Sequence, residues 1–311
     1  MRLLFATCLT AALLSVVPAW AQTAPAVPPA PAALPGAGAA PAAPRGLNWQ
    51  RYPAAREVAL QNVVAYVRIR PSDREDVAVA IVSPGSLTAP TVRVSGRRLI
   101  IDGRQRGRVL GCSARGATGF EVDLGQYGRV GGERLPIIEI RVPERAIVAA
   151  SGAMRMHVTS AESAEIHFDA CGDIDVERVH DVADVSVSHE GTMRIHDAGE
   201  LEARVAGNGE IMAGYIRDGL TVSIAGVGRF QAARADGPAN FVVQGPGEVT
   251  VRSGATEALT VVINGTGRVI HNGTAESLDA FVVGRGLVRV RDVEGESSRR
   301  VIGGGQIHVG Q

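Results

Sequence analysis

The chain has 311 residues, 32 basic and 32 acidic residues, and only 4% aromatic residues. Every basic residue is arginine. The balanced charge and the lack of aromatic residues among the arginines argue against a nucleic-acid-binding protein, and any interior must be filled by Val, Ile, Ala and Leu.

Residues 1–21 are typical of a secretory signal peptide. Arg2 precedes an apolar run from Leu3 to Val17, and small residues lead to a cleavage site before Gln22. No later apolar run is long enough to span a membrane. We therefore expect secretion across the inner membrane, to the periplasm or to an association with the outer membrane or cell surface.

Residues 22–46 contain seven prolines and ten alanines and predict a disordered linker. Residues 47–145 follow as an irregular β region, with alternating strands predicted over 56–70, 77–82, 91–103 and 136–143. This region carries sixteen arginines against ten acidic residues, a surplus of +6, whereas 146–311 carries fourteen against twenty-two, or −8. Its densest basic cluster either binds a polyanion or is a solvated strand edge: Arg97, Arg98, Arg104, Arg106 and Arg108.

Residues 146–311 contain a repeat with a period near 19 residues. Its markers are nine glycines, each followed two residues later by an apolar side chain: Gly152, Gly172, Gly191, Gly209, Gly228, Gly247, Gly267, Gly286 and Gly305. The positions four before, two after and four after each glycine are almost all apolar, which is the alternation that a strand requires. Tandem repeats of this kind indicate a solenoid of stacked coils.

The later coils double the glycine as Gly-x-Gly, for example Gly226-Val227-Gly228 and Gly265-Thr266-Gly267. We expect a corner there, at which either φ is positive or a neighbouring coil leaves no room for a Cβ. A nucleotide-binding loop would need a single copy followed by a helix.

Taken together, Ile138-Glu139-Ile140-Arg141-Val142-Pro143, Ala149 to Met154, and the repeated Gly-x-Gly segments resemble the GIN-domain family of adhesin-like proteins. The similarity covers roughly residues 56–311. It implies an all-β fold, namely a right-handed parallel β-helix of about nine regular coils preceded by irregular first coils, in an extracytoplasmic bacterial protein. It implies no catalytic residues.

Three sets of polar residues suggest chemistry. His157, Glu177 and His196 share one position in successive coils, and they are a weak candidate metal site, although stacked opposite charges explain them more simply. Asp169, Asp173 and Asp175 suggest the acidic centre of a carbohydrate-active β-helix enzyme, although we expect them on a solvated outer face. Cys112 and Cys171, the two cysteines of the mature chain, predict a disulfide in an oxidising compartment.

The outward positions of the late coils are unexpectedly apolar: Val242, Val262, Phe281, Val283 and Ile302. This apolar stripe is either covered by an early segment or the linker, or it is a docking surface. The chain reaches Gln311 inside the last coil, so we also expect unpaired strand edges at this end.

We therefore predict a non-enzymatic binding or scaffolding module of the bacterial cell envelope, adhesin-like, with no cofactor. Its partner is an envelope protein, a polysaccharide or a second copy bound through the C-terminal coils. The alternative is an enzyme centred on the three aspartates, but the constant coil length leaves no long loops to form a cleft.

Overall fold

The computed structural model describes residues 47–115 and 119–310, which form a nearly all-β structure. Its strands are β1 (Gln50–Tyr52), β2 (Glu57–Ser72), β3 (Val77–Ser83), β4 (Thr91–Ser95), β5 (Arg98–Asp102), β6 (Gly111–Arg115), β7 (Gly119–Asp123), β8 (Arg129–Gly131), β9 (Ile137–Pro143), β10 (Arg145–Val158), β11 (Ser163–His189), β12 (Gly191–Gly207), β13 (Glu210–Gly226), β14 (Arg229–Ala235), β15 (Ala239–Gln244), β16 (Glu248–Val251), β17 (Ala255–Gly265), β18 (Arg268–Gly284), β19 (Leu287–Val293), β20 (Ser297–Gly303) and β21 (Gln306–Val309). The predicted signal peptide and linker lie outside the described residues.

From β10 to β21 the strands pair in parallel and stack as a β-solenoid of about nine turns, as the repeat predicts. Ile224 lies in register with Val243, and the same column continues through Ile263 and Val282, all of them buried. Each coil thus covers the apolar side chains of the one before it. Val301, the next member of this column, is 40% exposed because it lies in the last described coil.

The register of the first two regular coils differs from the one that the glycines predict. Gly172 pairs with Gly191 as expected, but Gly152 pairs with Ala170, and Met154 is the residue opposite Gly172. The offset between these two coils is therefore 18 residues, and outward side chains of the first coil are shifted by two positions. A shift of two keeps every side chain on its predicted face, since strands alternate with period two.

The Gly-x-Gly corners combine both of the predicted reasons for glycine. Gly265 has φ +129°, and a Cβ there would lie 3.0 Å from the carbonyl oxygen of Gly245 in the preceding coil. Gly267 has no positive φ, but its Cβ would lie 2.5 Å from a methyl group of Val243. The first glycine therefore permits the turn, and the second makes room for the core.

The N-terminal region begins the same stack. β2 pairs in parallel with β10, while β5 and β9 pair in parallel with the two halves of β2. β1, β3 and β4 then add antiparallel neighbours at this end. These strands match the predicted ones closely, except that 91–103 divides into β4 and β5 around a turn.

A small antiparallel sheet, β6–β8, was not predicted. Its Phe120 and Val122 are completely buried and form a second hydrophobic cluster with Val64, Tyr66 and Ala153, which point outward from the first coils. The disulfide predicted between Cys112 and Cys171 is present, with 5.9 Å between the Cα atoms, and it joins β6 to β11. The early segment thus covers the outer face of the first coils.

The last described coil carries polar residues at inward positions. Ser297 and Arg299 continue the columns of the buried residues Leu278 and Ala280. The Nε atom of Arg299 donates a hydrogen bond to the Ser297 hydroxyl at 2.7 Å. Among the described residues no strand pairs beyond β20 and β21, and inward polar and charged side chains of this kind discourage non-specific strand pairing.

Candidate binding surfaces

The apolar stripe faces outward, as predicted. Val262 lies in register with Val242 on one side and Phe281 on the other, and Val283 lies in register with Ile302. The first four side chains are half-buried and Ile302 is 56% exposed. None of the five belongs to either hydrophobic cluster of the described residues.

Uncharged polar side chains border the stripe on the same face of the solenoid, which we call face A. Asn240 and Thr260 lie two residues before Val242 and Val262, and Gln244 and Asn264 lie two residues after them. They are aligned with one another across the coils. Face A of these coils therefore has an apolar centre with neutral hydrogen-bonding groups beside Val242 and Val262. Two charged residues lie at its C-terminal end: Asp279 is in register with Thr260, and Arg300 is in register with Phe281.

The three candidate catalytic aspartates do not form the solvated face that we expected. Asp169 is exposed and contacts the Nδ1 atom of His189 at 2.7 Å, but Asp173 and Asp175 are buried. Asp173 lies between Arg155, at 3.1 Å, and Arg194, at 3.7 Å. The stacking of neighbouring coils buries these carboxylates, because each is covered by long side chains from the coils on both sides.

The candidate metal ligands also occupy a different arrangement from the predicted column. His157 is in register with Asp175, and its Nε2 atom lies 3.0 Å from the Glu177 carboxylate. The Nε2 atom of His196 contacts Asp175 at 3.2 Å from the next coil. Asp175 thus separates the two histidines, and the described residues contain no group of three that could hold a metal ion.

These contacts change the proton affinities of the groups. Asp175, followed by Glu177, raises the pKa of His157 above its ordinary value despite partial burial. Burial alone would raise the pKa of Asp175, but its contacts with His157 and His196 outweigh burial and lower it. The arrangement therefore favours a charged His157 beside charged carboxylates, which is a structural ion-pair ladder.

The opposite face of the solenoid, face B, consists of the outward side chains of the strands that follow each corner. On this face Arg229 lies between Glu210, at 3.9 Å, and Glu248, at 3.8 Å. Arg268 is the next residue in the column, in register with Glu248. The alternation of charge ends there, because Leu287 and Gln306 follow.

Beyond Glu248, four arginines lie on or beside the strands of face B, with one exposed carboxylate, Asp292, next to Arg291. Arg252, Arg268, Arg289 and Arg291 are all exposed, and we call them the basic patch. No carboxylate lies within 4 Å of Arg252, Arg268 or Arg291 among the described residues. Three other acidic residues of these coils, Glu257, Glu276 and Glu294, line a groove of about 480 Å³.

The N-terminal arginine cluster is more dispersed than its spacing predicts. Arg98 pairs with Glu57 at 3.1 Å, and Arg108 stacks on the ring of Tyr127, 4.5 Å from its centre. Arg97, Arg104 and Arg106 are exposed on turns. The cluster therefore contains both paired and unpaired cations, and polyanion binding by it remains a prediction.

His271 is a buried ionisable residue that the sequence reasoning passed over. It occupies an inward position between Val251 and Val290 and is completely buried. Neither ring nitrogen makes a hydrogen bond. Desolvation lowers its pKa to about 4, although the backbone of Gly273 and of His271 itself offsets part of the effect.

Comparisons with known proteins relate the chain only to solved structures. A putative adhesin from Parabacteroides distasonis is 17% identical, with 85% of this chain and 97% of that chain covered and a TM-score of 0.47. A putative lipid binding protein from the same organism is 17% identical over 86% and 98% of the two chains, with a TM-score of 0.46. A putative adhesin from Parabacteroides merdae is 16% identical over 85% and 96%, with a TM-score of 0.47.

These similarities are too low to assign a function. No family model matches the chain, so membership of the GIN-domain family stays a prediction. No curated protein matches it either. No helix in the described part of the chain has the length and hydropathy of a membrane span.

Proposed function

We propose that this protein is a non-enzymatic binding or scaffolding module of the bacterial cell envelope, adhesin-like, that associates with a second copy of itself through the apolar stripe. The observation that carries the proposal is the outward column of Val242, Val262 and Phe281 with the polar side chains that border it. An apolar centre with a polar rim is the usual anatomy of a protein interface.

A second copy fits this surface because its rim is neutral beside Val242 and Val262 and carries one anion, Asp279, and one cation, Arg300, beside Phe281. In a two-fold interface each patch meets its own copy, so a rim with charges of one sign would bring like charges together, whereas two charges of opposite sign can pair across the interface. Asn240, Gln244, Thr260 and Asn264 instead present groups that both donate and accept hydrogen bonds. Face A of one copy can therefore pack against face A of a second copy.

The geometry of the aspartates supports a role without catalysis. A hydrolytic pair of carboxylates must reach a substrate from two sides of a cleft. Asp173 is held between two arginines, and Asp175 is held between two histidines. Both carboxylates therefore already have ion-pair partners on the neighbouring coils.

The test is the mass of the purified mature protein by sedimentation over a range of concentrations. We expect a concentration-dependent dimer, and we expect the double variant F281S/V283S to be monomeric with an unchanged circular dichroism spectrum. The matched control is I270S/L287S, which removes two half-buried apolar side chains from face B and should still dimerise. A monomeric wild-type protein, or equal loss of the dimer in both variants, would refute self-association through the stripe.

A further inference from the structure

The loop before β6 and the turn after β7 lie side by side at one end of the small β6–β8 sheet. We call this end the tip: residues 106–110 and 123–129. A Cβ on Gly125 would lie 3.1 Å from a methyl group of Leu110, so the leucine packs over the turn. The guanidinium of Arg108 stacks on the ring of Tyr127, 4.5 Å from its centre. Contacts between the two segments therefore bring their side chains to one place.

The tip exposes two large side chains with apolar surface. Leu110 is 73% exposed, the highest value among the large apolar residues that the structure describes, and Tyr127 is 55% exposed. Leu124 of the same turn is buried in the second hydrophobic cluster, so the turn already has an inward apolar contact. Single exposed apolar residues are common on protein surfaces, but two on one projecting end form a candidate contact site.

The fold holds these exposed side chains in place. The backbone N–H of Tyr127 donates a hydrogen bond to the carbonyl oxygen of Leu124 at 3.3 Å. Two residues after Leu110, Cys112 forms the disulfide with Cys171 of β11. The tip is therefore fastened to the solenoid by a covalent bond as well as by backbone hydrogen bonds, and a preorganised site loses less conformational entropy on binding.

The charge of the tip is positive. Arg106 is exposed in the same turn as Arg108, and Arg129 is exposed at the start of β8. Asp123 lies opposite Arg129, with 3.8 Å between the carboxylate and the guanidinium, whereas Glu121 lies further along β7, away from the tip. Three arginines and one carboxylate give the tip a net charge of +2.

We propose that the tip binds reversibly to the surface of an anionic phospholipid bilayer, a site separate from the self-association surface on face A. Leu110 inserts among the acyl chains, and Tyr127 lies at the level of the headgroups, where its ring and hydroxyl are both favoured. The arginines pair with lipid phosphates. An apolar contact and a basic cluster act together, since either alone gives only marginal membrane binding.

The composition of the tip favours a membrane over other anionic or apolar partners. A polyanionic polysaccharide or a nucleic acid would use the arginines but leave Leu110 in water, and Arg108 already covers one face of the Tyr127 ring on which a base would stack. A standard protein interface buries about 800 Å² on each partner, and two side chains supply only a fraction of that area.

The test measures binding of the purified mature protein to vesicles made of equal parts phosphatidylglycerol and phosphatidylcholine, at low salt. L110S/Y127S should bind about tenfold more weakly, because it removes the apolar contact. R106Q/R129Q should bind about thirtyfold more weakly, since each arginine near an anionic membrane contributes about fivefold. R106Q/R129Q leaves the contact between Arg108 and Tyr127 in place.

Each variant has a matched control. V94S/V227S removes two exposed apolar side chains elsewhere, and R268Q/R291Q removes the same charge from face B. Both controls should keep the wild-type affinity, and all variants should keep the wild-type circular dichroism spectrum. Equal weakening in a variant and its control would overturn the proposal. So would a wild-type protein that binds heparin, a sulfated polysaccharide, but not the vesicles, or one that binds neither.

Insertion of the tip is measured separately with L110W. On vesicles that contain brominated phosphatidylcholine, the fluorescence of the new indole should be quenched well beyond the background that Trp49 gives in the wild-type protein. Quenching no greater than this background would overturn the insertion of Leu110 into the bilayer.

Discussion

The buried histidine gives the most specific prediction for the core. An ordinary histidine has a pKa of 6.5, and burial lowers that of His271 to about 4. The unfolded chain therefore takes up a proton below pH 6.5 that the folded chain accepts only near pH 4. Because the unfolded state binds more protons in this window, stability must fall as the pH decreases from 6.5 to 4.

The magnitude follows from the difference between the two pKa values. At about 1.4 kcal/mol per pKa unit, the loss of stability due to His271 should reach about 3 kcal/mol near pH 4. Replacing His271 with valine continues the column of Val251 and Val290 and removes the titrating group. The variant H271V should therefore lose about 3 kcal/mol less than the wild type between neutral pH and pH 4.

The assay is urea-induced unfolding followed by circular dichroism at neutral pH and at acidic pH. The matched control is H308V, which removes an exposed histidine that contacts Gln306 and should keep the wild-type pH dependence. If H271V and the wild type lost the same stability on acidification, the position of His271 in the apolar interior would be wrong.

Three further predictions concern stability. I224D places a charge in the buried core column and should destabilise the protein by about 3–5 kcal/mol. R229D exchanges an exposed cation for an anion between Glu210 and Glu248 and should cost only about 1 kcal/mol, because water screens these charges; thermal unfolding compares the two variants. Removal of the disulfide in C112S/C171S, which opens a loop with a sequence separation of 59, should lower the free energy of unfolding by about 4 kcal/mol in urea. H157Q should lose stability relative to the wild type at acidic pH, and the loss should disappear as the pH rises above the raised pKa of His157, as a pH series of melting temperatures would show.

Each of these three predictions has a result that would contradict it. Equal destabilisation by I224D and R229D would contradict the assigned faces of the strands. Two thiols that titrate in the denatured, unreduced protein would contradict the disulfide. A stability difference for H157Q that grew with pH would contradict the raised pKa of His157, since a raised histidine pKa stabilises the fold only while the ring is charged.

The repeat made the solenoid predictable because a period near 19 residues is imposed at every coil. The columns of Ile224 and Val249 match both the alternation of inward and outward residues and the length of the coil. Together these two patterns determine that the side chains point into the core. The stripe could be found for the same reason, since Val242 and Phe281 interrupt an otherwise polar outward column.

Other features could not be predicted because they depend on contacts between segments, and the repeat period says nothing about such contacts. The shift of Gly152 against Gly172 placed Asp175, and not Glu177, opposite His157 in the register, while the ring of His157 still contacts the Glu177 carboxylate. The burial of Asp173 came from Arg155 and Arg194 on the neighbouring coils. The cover formed by β6–β8 has no repeat, and its Phe120 gave no periodic signal that could place it over the first coils.

The central claim, that face A is the surface on which two copies meet, is tested most directly by a single cysteine at its centre. V262C places a thiol in the middle of the apolar stripe, and Q231C places one at a half-buried outward position of face B. Under mild oxidation of the mature protein, we predict rapid formation of a covalent dimer by V262C and none above background by Q231C, measured on non-reducing gels. Equal cross-linking of the two variants, or none by V262C, would contradict the account.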